Sequence, residues 1–275
     1  MTSAARESFD PLPRFDVLGV GLHDLSADDV AERVANAVLA GRRVLVLNAN
    51  AHMLTLSQSR RWLRNFISRA DIAFCDGAGV QVAARLLSGK LLHRTTPPEW
   101  IEAAARRIAP AGTAFWLGGK ANVVGHAAAI FAQRTGTRCV GSHHGFFDVS
   151  TGSADNAAVV AEINRASPDL LIVNMGMPRQ EQWLRDHWHL LDARAGIAAG
   201  ALVDHIAGRV RRPPRWVANM GLEWAVRLAI EPRRLWRRYL LGLPVFGSYV
   251  LRELLFRRPD AISSGLSARL PKQGN

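Results

Sequence analysis

Cysteine is nearly absent from this chain: Cys75 and Cys139 are the two among 275 residues. Two widely spaced thiols build no disulfide framework, so the fold rests on a packed core and the usage fits a reducing cytoplasm. Long apolar runs are absent too, and none reaches the roughly 18 residues that a membrane-spanning helix needs. The nearest, Tyr239 to Leu251, is uncharged for 13 residues but interrupted by Gly242, Pro244 and Gly247. It reads as too short to span a bilayer and able to dip into one face of it. Met1 to Asp16 carries acidic residues and prolines and no apolar segment, so it does not read as a secretory leader. No internal repeat or low-complexity segment is visible.

Acidic residues are scarce in one region. Residues 206–275 hold 14 Arg/Lys against 4 Asp/Glu, a net of +10, whereas residues 1–205 hold 21 against 19, a net of +2. We therefore divide the chain into a body, 1–205, and a basic helical appendage, 206–275. In the appendage the cations alternate with large apolar residues, as in Arg215-Trp216 and Arg234-Leu235-Trp236-Arg237-Arg238-Tyr239-Leu240-Leu241. Such a tail suits an anionic surface: membrane lipid, a lipid-linked phosphate or nucleic acid. Pro213-Pro214 can open a helix, and Trp216, Met220, Trp224 and Leu228 recur at i+4 as one apolar face. Pro232 breaks it. Trp236, Tyr239, Leu240 and Leu243 make a second face beside Arg233, Arg234, Arg237 and Arg238, and a break at Pro244 leaves a third short helix from Val245 to Phe256. Apolar helical faces favour an interfacial membrane helix over nucleic acid.

With 48% apolar residues, the chain can bury a sizeable core. Short apolar runs end repeatedly in small polar clusters: Val44–Leu47 in Asn48-Ala49-Asn50, Ile72–Cys75 in Asp76-Gly77, Ala114–Leu117 in Gly118-Gly119, and Cys139–Gly141 in His143-His144. Leu170–Val173 ends likewise in Asn174-Met175-Gly176, and Ile197–Ala199 in Gly200-Ala201. Helix-period stretches such as Asp28–Leu39, Val80–Leu87 and Asn122–Arg134 lie between them. Alternating strands and helices predict an α/β fold, a Rossmann-like, mostly parallel sheet with helices on both faces. Ligands in such sheets bind beyond the carboxyl ends of the strands, where all these clusters fall.

Asp76, at a strand end before glycine, is placed to take a proton from a substrate hydroxyl, or alternatively to cap the helix from Val80. Gly118-Gly119-Lys120 can bring backbone N–H groups to a phosphate, but without the spacing of a Walker or dinucleotide loop. His143 and His144, adjacent in a strand, point to opposite faces and leave no metal site. Gly176-Met177-Pro178-Arg179-Gln180-Glu181-Gln182-Trp183 presents Arg179 and Gln180 to a diphosphate or sugar, or simply starts a helix.

Joined in this order, the segments resemble the WecG/TagA/CpsF family of bacterial glycosyltransferases over roughly residues 15–250. The likeness runs through Asn50-Ala51, Ala70-Asp71-Ile72, Cys75–Val80, Leu117–Lys120, Gly141–Phe147, Gly176–Trp183, Gly200–Val210, Arg212–Trp216, Gly221–Trp224 and Glu231–Leu235. The resemblance implies an inverting, metal-independent transferase with no cofactor. It would move a sugar from a UDP-sugar to a polyprenyl-diphosphate-linked saccharide at the inner face of the cytoplasmic membrane. It further implies Asp76 as base, Pro178 to Glu181 lining the sugar-nucleotide pocket, Asp204 near the nucleotide, and a tail that completes the site. The candidate catalytic residues are then Asp76, Gln180 and Asn48. The candidate substrate contacts are Asn50, Gly77, Arg94, Gly118, Gly119, His144, Pro178, Arg179, Glu181, Asp204, Arg209, Arg211 and Arg212. The chain departs from the family pattern at Asn48 (often Thr), at His52 (often Glu) and at Arg94-Thr95-Thr96-Pro97-Pro98-Glu99. The expectation is a peripheral-membrane transferase of exopolysaccharide, capsule or wall-polymer assembly that binds no nucleic acid; self-association stays open. Its rivals are a non-catalytic binding module for sugar nucleotides or lipid diphosphates and, more remotely, a nucleic-acid binder.

Overall fold

The computed structural model describes residues 12–210, 217 and 223–256. Eight strands form one sheet in the order β1-β2-β4-β3-β8-β7-β5-β6. They are β1 (Arg14–Val17), β2 (Val20–His23), β3 (Val44–Ala49), β4 (Ile72–Cys75), β5 (Thr113–Gly118), β6 (Arg138–His143), β7 (Leu170–Asn174) and β8 (Ala195–Ala198). Every pairing is parallel except β1 with β2. This is the α/β architecture that the alternating runs predict.

The β1–β2 hairpin is an addition to that reading. Its turn residues, Leu18 (φ 58°) and Gly19 (φ 79°), both have positive φ, as a two-residue hairpin turn requires. Leucine seldom adopts that conformation, so the turn carries no sequence signature. Gly19 N–H donates to Asp16 Oδ1 at 3.2 Å and holds it closed.

The parallel strands are buried on both sides, and alternate residues feed two separate cores. Leu45 and Leu47 of β3, Phe115 and Leu117 of β5, and Leu171 and Val173 of β7 enter one core. It is covered by α2 (Ala51–Ser59), α3 (Arg61–Arg69), α4 (Ala78–Ser88), α7 (Ala154–Ala166) and α8 (Arg179–His187). Val44, Val46, Ala114, Trp116, Leu170 and Ile172 enter the other, under α1 (Ala27–Leu39), α5 (Pro97–Ile108), α6 (Ala121–Thr135) and α9 (Leu202–Ile206). There Trp116 meets Phe131 edge-on, ring centroids 5.2 Å apart.

The described part of the appendage comprises α10 (Glu223–Ile230), α11 (Pro232–Trp236), a π-helical turn (Arg237–Leu241) and α12 (Gly242–Phe256). The expected helix start at Pro213 lies outside the described residues. The expected break at Pro244 does not occur: Arg237–Phe256 is one 20-residue helix, by length and hydropathy long enough to cross a membrane. Proline removes one helical hydrogen bond and crowds the carbonyl four residues earlier, here that of Leu240. A wider π turn, Arg237–Leu241, includes that residue. The expected Trp236/Tyr239/Leu240/Leu243 face divides. Tyr239 and Leu243 turn towards the sheet edge, while Trp236 and Leu240 remain exposed. Phe246 and Val250 of α12 are buried in the first core, against α2 and α4.

Candidate active site

A cavity of about 580 Å³ opens beyond the carboxyl ends of β3, β4, β7 and β8, the edge at which parallel sheets bind ligands. On its β3/β4 side lie Asn48, Asn50, His52, Asp76 and Gly77. Asp76 is fixed twice. Its N–H donates to Ala49 O at 2.8 Å, continuing the ladder one residue past β4. Its Oδ2 accepts from Asn48 Nδ2 at 2.6 Å. The amide of Asn48 thus donates to the carboxylate and fixes its orientation. Gly77, at φ 108°, turns the chain sharply out of the strand, a conformation that residues with a Cβ resist. Asp76 is therefore presented at the cavity rather than folded back as the cap of α4, whose N-cap residue is Gly77 with no side-chain hydrogen bond.

Asn50 lines the cavity and also caps α2, its Oδ1 accepting from Met53 N at 3.0 Å. His52, in the first turn of that helix, has its pKa pushed down to about 4 by burial and then by Arg238 and Arg60. It is a neutral imidazole at neutral pH. Cys75, next to Asp76, has its thiol pushed far up by burial and by the Asp76 charge, so it stays protonated and unreactive.

The Arg94–Glu99 departure proves to be a helix start. Thr96 and Glu99 form a capping box, Thr96 N donating to Glu99 Oε2 at 2.8 Å. Pro97 and Pro98 occupy first-turn positions where no N–H is needed. Arg94 pairs with Glu99 at 3.2 Å and lines the cavity with Thr96 and both prolines.

The β7/β8 side is built differently. The cavity meets Asn174-Met175-Gly176-Met177 and Ala199-Gly200-Ala201, chiefly as turns. Of the motif behind these turns, Pro178, Arg179, Gln180 and Glu181 are not among the residues that line the cavity. Gln180 and Glu181 are fully buried. Arg179 donates to Phe147 O at 2.8 Å. Asp204, on α9, does line the cavity; its carbonyl accepts from Arg209 N at 2.9 Å and Val210 N at 3.2 Å. The Arg209 side chain is exposed and outside the lining, and Arg211 and Arg212 lie outside the described residues.

Gly118 and Gly119 serve packing rather than a phosphate. A Cβ on Gly118 would lie 2.4 Å from the carbonyl carbon of Asn174 on the neighbouring strand, and one on Gly119 would lie 3.0 Å from Val203. Neither lines the cavity, nor does His144. The two histidines do not diverge, because β6 ends at His143. Their rings lie 4.5 Å apart, and His143 Nδ1 lies 2.8 Å from His144 O. Among the described residues no group of three or more His, Cys, Asp and Glu is arranged to hold a metal ion.

Sequence reasoning did not assign five contributors to the site. Asn174 accepts from Val203 N at 3.1 Å and so ties β7 to α9. His205 lines the cavity beside Asp204, and the tail supplies Trp224, Arg238 and Tyr239. Asn174 and His205 fall within segments already singled out. Arg238 and Tyr239 reach the cavity on the same helical face as Leu235, Gly242 and Leu243.

A buried sheet edge, a carboxylate held by an amide and a cationic tail residue across the same cavity define a group-transfer site. Comparison with known proteins agrees. The sequence model for the glycosyl transferase WecG/TagA/CpsF family matches residues 15–260. The chain belongs to that family and is a glycosyltransferase. It is 25% identical over 236 residues to an N-acetylglucosaminyldiphosphoundecaprenol N-acetyl-beta-D-mannosaminyltransferase of Staphylococcus aureus strain MRSA252, covering 85% of this chain and 90% of the relative. The protein of the same name from strain NCTC 8325 / PS 47 is 26% identical over 237 residues, with the same coverage.

Proposed function

We propose that this glycosyltransferase moves a sugar from a UDP-sugar to a saccharide carried on polyprenyl diphosphate, with inversion at the anomeric carbon. The Asn48–Asp76 pair, opening into a cavity closed on its far side by the tail, carries this reading. Asp76 takes the proton of the acceptor hydroxyl as its oxygen attacks the anomeric carbon. The bond to the UDP oxygen breaks and UDP leaves with the electron pair. Arg94 and Arg238 are the Arg/Lys side chains among the described residues that line the cavity. They supply the charge complement that the leaving diphosphate needs. The relatives' names specify a polyprenyl-diphosphate sugar as their acceptor, which supports the same acceptor class here, within exopolysaccharide, capsule or wall-polymer assembly. The proposed reaction uses no metal.

The same reading places the enzyme at the inner face of the cytoplasmic membrane. Phe246 and Val250 hold α12 to the body, while Trp236, Leu240, Leu241, Val245, Leu251, Leu254, Leu255 and Phe256 are exposed. One face in the protein core and one in the lipid interface is the pattern of a helix lying in the membrane plane, flanked by arginines.

The test is a panel of UDP-sugars offered with a polyprenyl-diphosphate saccharide, following UDP release and the lengthened lipid, with and without EDTA. One donor should give EDTA-resistant transfer. Tight donor binding without turnover for any member of the panel would instead favour a binding module.

A further inference from the structure

Gln180 and Glu181 open α8, yet both face inward. The Gln180 side-chain carbonyl accepts from Gly176 N at 3.2 Å and from Gly200 N at 3.1 Å. Gly176 belongs to the turn after β7 and Gly200 to the turn after β8, and both turns line the cavity. One amide thus ties two cavity walls together. Its nitrogen donates to Glu181 Oε1 at 2.7 Å. An amide can be seated two ways, and only with its oxygen towards the two N–H groups does this arrangement work. Glu181 supplies the acceptor that the nitrogen then needs. The Glu181 carboxyl is sealed from ligand: the residue is fully buried, and among the described residues Oε2 has no hydrogen-bond partner.

We infer that Glu181 is a positioning residue, which locks the Gln180 amide in the orientation that clasps the Gly176 and Gly200 turns and so sets the spacing of two cavity walls. The inference rests on the transferase reading for its kinetic consequence, not for its geometry. Burial raises the Glu181 pKa to about 7, against the opposing pull of the Gln180 amide. Charged neighbours do not relieve it. On α8, Arg179 is bound to Phe147 O, Arg185 pairs with Asp186, and His187 bonds Asn156. The packed α3 brings Arg61, Arg64 and Arg69, the 3₁₀ turn Trp188–Leu190 brings His189, and β8 brings no ionisable side chain. Among the described residues none of these pairs with Glu181. Ionisation there creates a carboxylate without a counter-charge, and the clasp loosens as pH rises.

The test compares full-length wild type with Glu181→Leu, Gln180→Leu and Glu181→Gln, first by hydrogen exchange without substrate. Glu181→Leu and Gln180→Leu should speed exchange of the 175–177 and 199–201 segments on the order of tenfold, with the segment around Asp76 unchanged. With the UDP-sugar that supports transfer, the same two variants should raise donor KM about tenfold with kcat little changed. Glu181→Gln, neutral and isosteric, should restore both readouts and abolish the rise in donor KM that wild type shows between pH 6 and 8. Unchanged exchange in those segments in Glu181→Leu, or failure of Glu181→Gln to rescue, overturns the inference. If Glu181→Leu does not fold, identical pH profiles of wild type and Glu181→Gln overturn it, and differing ones support it. If no UDP-sugar is turned over by wild type, the transferase reading fails, while the exchange result still decides the clasp.

Discussion

The two sides of the cavity use the same device, polar residues just past a strand end, for opposite purposes. On the β3/β4 side Gly77 turns the chain outward and Asp76 faces the cavity, aimed by Asn48. On the β7/β8 side the polar residues come a turn later, at the start of α8, and helical register carries Gln180 and Glu181 inward. One side presents a reactive group, whereas the other presents turn backbone held from behind. Polar density at a strand end therefore marks a site without saying which residues reach the ligand.

Four changes would break or sharpen that contrast. The largest effect belongs to the presenting side: Asp76→Asn keeps size and polarity but cannot accept a proton, and kcat should fall on the order of 10²–10⁴-fold. Near-normal steady-state turnover would remove Asp76 as base. Asn48 acts through Asp76, so Asn48→Leu should lower kcat by roughly 10-fold or more, while Asn48→Thr restores a donor and should stay within a few-fold of wild type. Equal losses in the two variants would show that the donor does not matter. The exposed tail face offers a test with no chemistry in it. Leu251→Glu together with Leu255→Glu should leave the melting temperature unchanged but reduce sedimentation with anionic vesicles about tenfold or more, since burying each leucine is worth roughly 1.5–3 kcal/mol.

The smallest effect is in stability, and there the two sides should respond to pH in opposite senses. His23 supports the presenting side: its Nδ1 accepts from Ala73 N of β4 at 3.0 Å, and burial with Arg14 and Arg33 lowers its pKa to about 4. The folded state favours the neutral ring, so this contribution is present above the ordinary value of 6.5 and is lost as pH falls towards 4. Glu181, raised to about 7, contributes fully below its ordinary 4.5 and loses that contribution as pH rises through 7. Melting curves of His23→Gln and Glu181→Gln against wild type should give differences that grow with acid for the first and with alkali for the second. Parallel pH dependences would contradict the assignment.

Much of this was legible in the sequence because it follows local rules. Each run from Val44 to Ile197 that ended in Asn, Asp or Gly became a parallel strand aimed at the site edge, and Asp76, Asn48, Asn50 and Gly77 meet at one cavity with Arg94 and Asp204, which only the family resemblance had pointed to. What was not legible depends on backbone geometry that composition does not encode. Leu18 adopts positive φ and hides a hairpin. The Gly118 pattern resembles a phosphate loop, but the glycine is required by the closeness of Asn174 on the neighbouring strand. The tail face that meets the cavity, Leu235, Arg238, Tyr239, Gly242 and Leu243, keeps helical spacing but is offset from the Trp236/Tyr239/Leu240/Leu243 face that the large apolar residues suggest, because Arg238 and Gly242 sit on it while Trp236 and Leu240 stay exposed.

Calorimetric titration of the active UDP-sugar into Asp76→Asn and Gln180→Leu tests the central contrast most directly. The account predicts that Asp76→Asn binds donor with wild-type affinity although it does not turn over, and that Gln180→Leu binds about tenfold more weakly. Weakened binding by Asp76→Asn together with wild-type affinity in Gln180→Leu would reverse the two roles and contradict it.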